Sequence, residues 1–276
     1  MADSANTASR SDAAHYNANY GNFESELYAR IRLEAFGEDI GQSSWITADE
    51  QDRFLGLLAL SPQKSLLDVA CGSGGPALRI AARTGCSLVG IDNHEQAITT
   101  ADSLAAKQGF SDRAQFVLTD AAAALPFPDD RFDAITCIDA INHLPDRPRI
   151  LREWARVLKP GGRLIFTNPT TITGPLTKEE LAVRSSIGFF LFVPAGYDRR
   201  IVSECGLQLL ACEDVTRNMA ELAQRRWAAR ELRAAQLAEI EGSDSFAHQQ
   251  EFFQVAARIA AEGRLSRFLY VAEKPV

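Results

Sequence analysis

The residues with the clearest chemical potential are a glycine run, Cys71-Gly72-Ser73-Gly74-Gly75, and a few acids and a histidine downstream of it. Glycines at this density let the backbone turn tightly and let a ligand lie against the chain itself. Gly72-Ser73-Gly74-Gly75-Pro76-Ala77 fits the spacing G-x-G-x-x-A, in which a strand runs into a helix that receives a nucleotide. Pro76 suits the first turn of that helix. Asp92 follows at the distance expected of an acid that accepts both hydroxyls of a ribose, since one carboxylate has two acceptor oxygens. It also reads as the N-cap of the next helix. Further on, Asp139-Ala140-Ile141-Asn142-His143-Leu144 sets a carboxylate near an imidazole, the side chain best suited to take a proton at neutral pH.

Such residues need a frame. Short apolar runs at Ser65–Ala70, Ser87–Ile91, Ala114–Leu118, Phe132–Ile138 and Arg163–Thr167 read as strands. Helical patterns lie between most of them, at Pro76–Thr84, Glu95–Gln108 and Arg147–Leu158. That alternation predicts an α/β fold with a parallel sheet covered on both faces, its ligand beyond the carboxyl ends of the strands. Before it, residues 15–60 form a helical segment, with one helical pattern over His15–Phe36, a loop over Gly37–Trp45, and a capping box at Thr47 and Glu50. After it, Asn168–Pro175 reads as a loop, Tyr197–Cys205 as a helix ended by Gly206, and Leu207–Ala211 and Leu265–Ala272 as strands. Arg217–Glu262 is one long helical region broken near Gly242-Ser243. Residues 1–14, rich in Ala, Ser, Asn and Asp, read as a disordered tail.

Composition narrows the classes. With 276 residues the chain can bury a core without disulfides. Its five cysteines are odd in number and lack C-x-x-C spacing, so reduced thiols in a cytoplasmic protein are expected. A net charge of -7 argues against a nucleic-acid partner, because phosphate binding needs clustered Lys and Arg. No apolar run is long enough to span a membrane.

The glycine loop alone leaves NAD and S-adenosylmethionine (SAM) as rival ligands. Asp68 separates them. It sits inside the first strand just before the glycines, where a carboxylate repels a diphosphate but suits the ammonium and sulfonium of SAM. It also reads as a buried acid capping the loop amides.

From here the sequence resembles the class I SAM-dependent methyltransferases, in particular the small-molecule group that includes the ubiquinone/menaquinone-biosynthesis and glycine/sarcosine-type enzymes. Leu66-Leu67-Asp68-Val69-Ala70-Cys71-Gly72-Ser73-Gly74 matches the family's first motif, and Val89-Gly90-Ile91-Asp92 its second strand. Thr119-Asp120-Ala121 with Leu125-Pro126-Phe127, then Phe132-Asp133-Ala134-Ile135, then Leu158-Lys159-Pro160-Gly161-Gly162-Arg163-Leu164 follow in family order. The resemblance covers residues 61 to about 167 strongly. It implies a Rossmann-like, seven-stranded, mostly parallel sheet whose last strand is antiparallel, over residues 61–276. A helical lid insertion is expected at about 216–263.

The resemblance also implies roles. Gly72 and Gly74 would bring backbone against the methionine part of SAM, with Asp68 and Ala70 beside them. Asp92 would hold the ribose, and Asn93, Asp120 and Ala121 the adenine. Ile138 would offer its carbonyl to the ammonium. Tyr16, Tyr20, Gln42 and Trp45 would close over the carboxylate end, or else pack the N-terminal helices. His143 fits a general base, or a loop histidine bonded to cofactor or backbone. Asp139 is a second candidate base or amine ligand.

No metal is expected: Asp139 and Asn168 stand where related enzymes hold Mg²⁺, but Thr167 and Pro169 leave the ligand set short. His15, His94 and His248 have no partner in the sequence. Phe189, Phe190, Phe192, Val193 and Tyr197 line a pocket or fill core. The basic run Gln224–Arg230 reads as a solvated helix face with Glu221 paired to Arg225 and Trp227 packed inward, and dimerisation through it is open. The expected reaction is methyl transfer to N or O of a small-molecule acceptor. The alternatives are an NAD-dependent oxidoreductase or a SAM-binding protein without methyl transfer.

Overall fold

The computed structural model describes residues 20–276. The N-terminal tail, His15 and Tyr16 lie outside the described residues. The chain runs through α1 (Glu26–Phe36), α2 (Ala48–Leu55), β1 (Ser65–Val69), α3 (Gly75–Thr84), β2 (Ser87–Asp92), α4 (Glu95–Lys107), β3 (Ala114–Leu118), β4 (Phe132–Cys137), α5 (Arg147–Val157) and β5 (Leu158–Ile172). It continues through α6 (Lys178–Arg184), β6 (Val193–Pro194), α7 (Tyr197–Glu204), β7 (Gln208–Asp214), α8 (Thr216–Glu231), α9 (Ala234–Glu241), α10 (Ser243–Ala261) and β8 (Leu265–Glu273).

The strands form one sheet in the order β3-β2-β1-β4-β5-β8-β7, with the two-residue β6 pairing in parallel to the end of β5. β8 alone runs against its neighbours, antiparallel to both β5 and β7. The sheet follows from period-two packing. Leu66, Ala134, Ile165 and Val271 face α3 and α4, meeting Leu78, Ile80 and Ala101. Their neighbours Leu67, Ile135, Leu164 and Phe166 face the opposite layer, meeting Leu151 and Trp154 of α5 and Val202 of α7. A strand buried on both faces carries an unbroken apolar run, and β1 is buried at all five positions.

A third apolar cluster stands over the carboxyl ends of the strands. Tyr28, Ile31 and Phe36 of α1, Met219 and Leu222 of α8, and Phe252 and Phe253 of α10 close around Trp45.

Three elements differ from the sequence reading. β5 continues to Ile172, through the Thr- and Pro-containing stretch expected to be a loop, because β8 lies alongside and pairs Thr171 with Ser266 and Ile172 with Leu265. Tertiary pairing here overrides local preference. The region after β7 is three helices, broken at Leu232-Arg233 as well as at Gly242. The described part of the N-terminal helical pattern starts a new helix at Glu26, where the Ser25 hydroxyl accepts the Tyr28 N–H.

Docking of the 39–42 loop on the glycine turn leaves no room at Gly75. A Cβ there would lie 2.2 Å from the Ile40 carbonyl oxygen and 2.8 Å from the Gly41 Cα. Both are backbone atoms and cannot rotate away. Gly75→Ala is therefore expected to cost at least about 1–3 kcal/mol in urea unfolding. A variant as stable as the parent would contradict this packing.

Candidate active site

The turn after β1 is held from below by Asp92, the last residue of β2. One oxygen, Oδ2, accepts the Gly72 N–H at 2.9 Å. The other accepts the His94 N–H at 3.0 Å, and the His94 Nδ1 lies 3.2 Å from it. Asp92 thus joins two strand ends and does not cap α4, whose N-cap is His94 without a side-chain bond. Tyr20 covers the turn. Its hydroxyl lies 3.0 Å from where a Gly72 Cβ would stand, and its ring is 6.0 Å from that of His94.

A cavity of about 300 Å³ opens here, at the carboxyl ends of β1, β2 and β4. Tyr20, Ala70, Asp92, Asn93, Asp120, Ala121, Ile138, Asp139 and His143 line it, all residues singled out in the sequence. Ser43, Ser44, His94 and Leu144 line it too and were not foreseen, and Phe189, one of the aromatics expected in a pocket or the core, joins them. The signal for His94 was its place directly after Asp92-Asn93; Ser43 and Ser44 lie in the loop already marked by Gln42 and Trp45. Among the described residues the lining holds three carboxylates and neither Lys nor Arg. Such a wall cannot neutralise a diphosphate, but it suits a cationic ligand. The Asp120 carboxylate accepts the Ala122 N–H at 2.8 Å, which turns its loop against the cavity.

Five expected residues stand elsewhere. Asp68 is buried in the sheet, its Oδ1 accepting the Thr136 hydroxyl at 2.6 Å. Burial raises its carboxyl to about 7, opposed by that hydrogen bond and reinforced by the charge of Asp92. Gly72 lies beneath Tyr20. Gly74 adopts φ +77, and its missing side chain is replaced by the Phe116 ring, 2.8 Å from an ideal Cβ. Its bare Cα serves strand–helix packing. Gln42 folds on itself, accepting the Ile40 N–H and donating to the Glu38 carbonyl. Trp45 faces a neighbouring cavity described below.

Asp139 has a different task from the base or amine ligand expected. Its Oδ1 accepts from the Thr167 hydroxyl at 2.7 Å and from Arg267 Nε at 2.7 Å. Its Oδ2 accepts from the Trp45 N–H at 2.8 Å and from Arg267 Nη2 at 3.1 Å. Four hydrogen bonds, two of them from one guanidinium, occupy this carboxylate. Arg267 is fully buried on β8 and also donates to Glu50 at 2.6 Å. Burial works against the guanidinium's charge, but Asp139 and Glu50 outweigh it and hold the group protonated. Glu50 is itself pushed up by burial, with Arg267 opposing and Asp139 adding to the rise. Thr47 caps α2 as expected, accepting the Glu50 N–H, but the Glu50 carboxylate goes to Arg267 and Asn218. A lone Arg in the apolar run Leu265–Ala272 was the available signal, since a buried charge needs partners.

His143 sits in a 3-10 turn beyond β4. Its Nδ1 lies 2.8 Å from the Phe189 carbonyl oxygen, which can only accept, so Nδ1 carries the proton. The neutral ring then holds its lone pair on Nε2. The segment after α6 is tied to the same turn, since the Leu191 N–H donates to the Asn142 carbonyl at 2.7 Å. Of the flagged aromatics, Phe189 is half exposed at the larger cavity and Phe190 meets the His143 ring at 4.7 Å. Phe192 stacks on Phe190, Val193 is buried, and Tyr197 packs on the core.

A second cavity of about 80 Å³ adjoins the first, sharing Ser43, Ser44, Asp139 and His143 with it. Trp45, Asn142, Phe190, Phe252 and Phe253 form its far walls. The basic run of α8 joins this core through Arg226 and Arg230, while Gln224 and Arg225 are exposed as a solvated face would be. Arg226 lies 4.6 Å from the Phe253 centroid and donates to the Ser43 carbonyl at 3.0 Å. Arg230 is buried in an ion pair with Glu241 at 2.6 Å, and Glu221 pairs with Arg217. Trp227 packs inward as expected.

Comparison with known proteins agrees with this architecture. Residues 67–166 match the family described as "Methyltransferase domain". The chain is 32% identical over 203 residues to the 27-O-demethylrifamycin SV methyltransferase of Amycolatopsis mediterranei, covering 69% of this chain and 74% of that one. It is 32% identical over 165 residues to the sterol 24-C-methyltransferase of Saccharomyces cerevisiae, of which it spans 42%. In structure it resembles the phosphoethanolamine N-methyltransferase 2 of Haemonchus contortus, solved with phosphomonomethylethanolamine and S-adenosylhomocysteine. The TM-score is 0.79 at 17% identity, over 95% of this chain and 60% of that one. The cyclopropane synthase MmaA2 of Mycobacterium tuberculosis shares the fold, with a TM-score of 0.78 at 18% identity over 96% and 98% of the two chains.

Two predictions follow from the buried charges. Asp68 binds a proton more tightly folded, with its carboxyl near 7, than unfolded, near 3.8. Its ionisation therefore takes stability away as pH rises from about 4 to 7, by up to about 4 kcal/mol. Asp68→Asn should match the parent near pH 4 and exceed it increasingly up to pH 8 in urea unfolding; a constant gap would refute the assignment. Arg267→Met strands two buried carboxylates and should cost about 3–5 kcal/mol. A loss below about 1 kcal/mol would show that Asp139 and Glu50 do not depend on it.

Proposed function

This chain belongs to the class I SAM-dependent methyltransferases, which transfer methyl from SAM to small molecules, and within that reaction we propose the following division of labour among its residues. Asp92 accepts the ribose hydroxyls, using the lone pairs that its bonds to the Gly72 and His94 amides leave over. Asn93, Asp120 and Ala121 meet the adenine edge. The carbonyls of Ala70 and Ile138 receive the ammonium end. Tyr20 closes the cavity above the glycine turn. The acidic lining without Lys or Arg supports this ligand over a dinucleotide.

When bound, SAM supplies an electrophilic methyl group on a sulfonium. The protein's work is then alignment, exclusion of water, and removal of a proton from an acceptor that arrives protonated. His143 is placed for that removal. It lines both cavities, so it stands between the cofactor and whatever occupies the smaller one. Its bond to the Phe189 carbonyl orients the ring and puts the accepting lone pair on Nε2. That anchored imidazole on the shared wall is the observation that carries the reading. Asp139 positions the turn and stays ion-paired throughout.

His143→Gln should lower kcat by about 10²–10⁴ for a hydroxyl acceptor while leaving S-adenosylhomocysteine affinity within a few-fold of the parent by calorimetry. Unchanged turnover would remove the base from the mechanism. Asp92→Ala should abolish measurable S-adenosylhomocysteine binding, and retained micromolar affinity would overturn the cofactor placement.

A further inference from the structure

We infer that the small cavity beyond His143 seats the acceptor, and that it selects a hydroxyl on a flat apolar body while rejecting protonated amines. The inference rests on the methyl-transfer reading above and adds the acceptor's chemistry to it.

The walls carry the argument. Trp45, Phe190, Phe252 and Phe253 form an aromatic box, the kind of site that ordinarily attracts an ammonium to its ring faces. In this protein guanidinium groups already stand over those rings. Arg184 lies 4.4 Å from the Phe252 centroid, 5.5 Å from Phe190 and 5.8 Å from Trp45. Arg226 lies 4.6 Å from Phe253 and 5.3 Å from Trp45. A second cation entering the box would meet covered rings and two positive neighbours in a site of low dielectric. Asp139 is the one carboxylate among the cavity's described lining residues, and Arg267 holds it. Two guanidinium groups on the rings and a carboxylate already paired set this cavity apart from the acidic one next to it. This cavity suits an oxygen that becomes negative as it loses its proton.

Asn142 supplies the polar contact. Its side chain is fully buried, lines the cavity, and has neither its amide nitrogen nor its carbonyl oxygen hydrogen-bonded among the described residues. Leaving both unpaired costs free energy, and a hydroxyl, which donates and accepts, satisfies either atom. Asn142 adjoins His143 in the chain, so a hydroxyl bonded to it is presented toward the imidazole. The cavity of about 80 Å³ is smaller than the roughly 150 Å³ that holds benzene in an engineered core, so an aromatic acceptor or probe enters it hydroxyl first, with its ring extending into the adjoining cavity that shares Ser43, Ser44, Asp139 and His143.

The step balances. The acceptor's O–H proton passes to His143 Nε2, and an oxygen lone pair forms the new O–CH₃ bond. The S–CH₃ bond breaks, its electron pair stays on sulfur in S-adenosylhomocysteine, and the imidazolium returns its proton to water.

The test is binding to the protein loaded with S-adenosylhomocysteine at pH 7, by ligand-detected NMR, with phenol, benzylamine and toluene as probes. Phenol is expected to bind at least about tenfold more tightly than the benzylammonium ion. Asn142→Leu should weaken phenol about tenfold and leave toluene within a few-fold. Asn142→Asp, nearly the same shape, should narrow or reverse the preference over benzylammonium, and it stands alone if the leucine variant does not fold. Equal or tighter benzylammonium binding, absent phenol binding, or phenol affinity indifferent to both substitutions would overturn the proposal. S-adenosylhomocysteine affinity is measured on each protein. Its loss in the parent strikes the cofactor reading, whereas lost selectivity with that affinity intact strikes only the acceptor's chemistry.

Discussion

Arg267 makes the junction on which the rest of the site depends. A guanidinium with no exposed surface is tolerable only if its donors are met by acceptors of opposite charge, and Asp139 and Glu50 meet them from two different elements. Asp139 ends β4 and begins the turn that carries His143. Glu50 belongs to α2 and also holds Asn218 of α8, whose amide in turn donates to the Trp45 carbonyl at 3.0 Å. One charge on an antiparallel strand therefore fixes the catalytic turn, the N-terminal helices and the helical cover in one arrangement. Its net contribution to stability is small by comparison with the cost of breaking it, because the desolvation of three charges offsets most of their attraction.

This clamp explains why the two cavities differ so sharply in charge while sharing a wall. On one side Asp92, Asp120 and Asp139 line the cavity proposed for the cationic cofactor. On the other, Arg184 and Arg226 lie over the aromatic box. His143 stands between, anchored through Nδ1, so that proton acceptance is directed by the backbone of the Phe189 segment.

The sheet and the cofactor cavity were legible in local sequence because their signals are local. Apolar runs of five or six residues, a glycine turn and an acid at the end of β2 sit within about 30 residues of one another, and short-range patterning suffices to place them. Glu50 shows where this fails. Thr47 and Glu50 have capping-box spacing, and the Thr47 half forms, yet Arg267, more than 200 positions away in the chain, takes the carboxylate. Gly74 is similar: its conformation is a local requirement, but Phe116 fills the space a side chain would need. Arg226 and Arg230 of α8 read as solvated by their helical spacing and are packed on rings supplied by α10 and the 43–45 loop.

The sequence by itself indicated the cofactor, the parallel strands and the residues at the strand ends, since each is carried by short motifs and apolar runs that follow one another in the chain. Only the tertiary structure decided what Asp139 does, where Trp45 faces, and what charge surrounds the acceptor. Those depend on which distant side chains share a low-dielectric space, and the free energy of a buried charge is set by its partners and not by its position in the sequence.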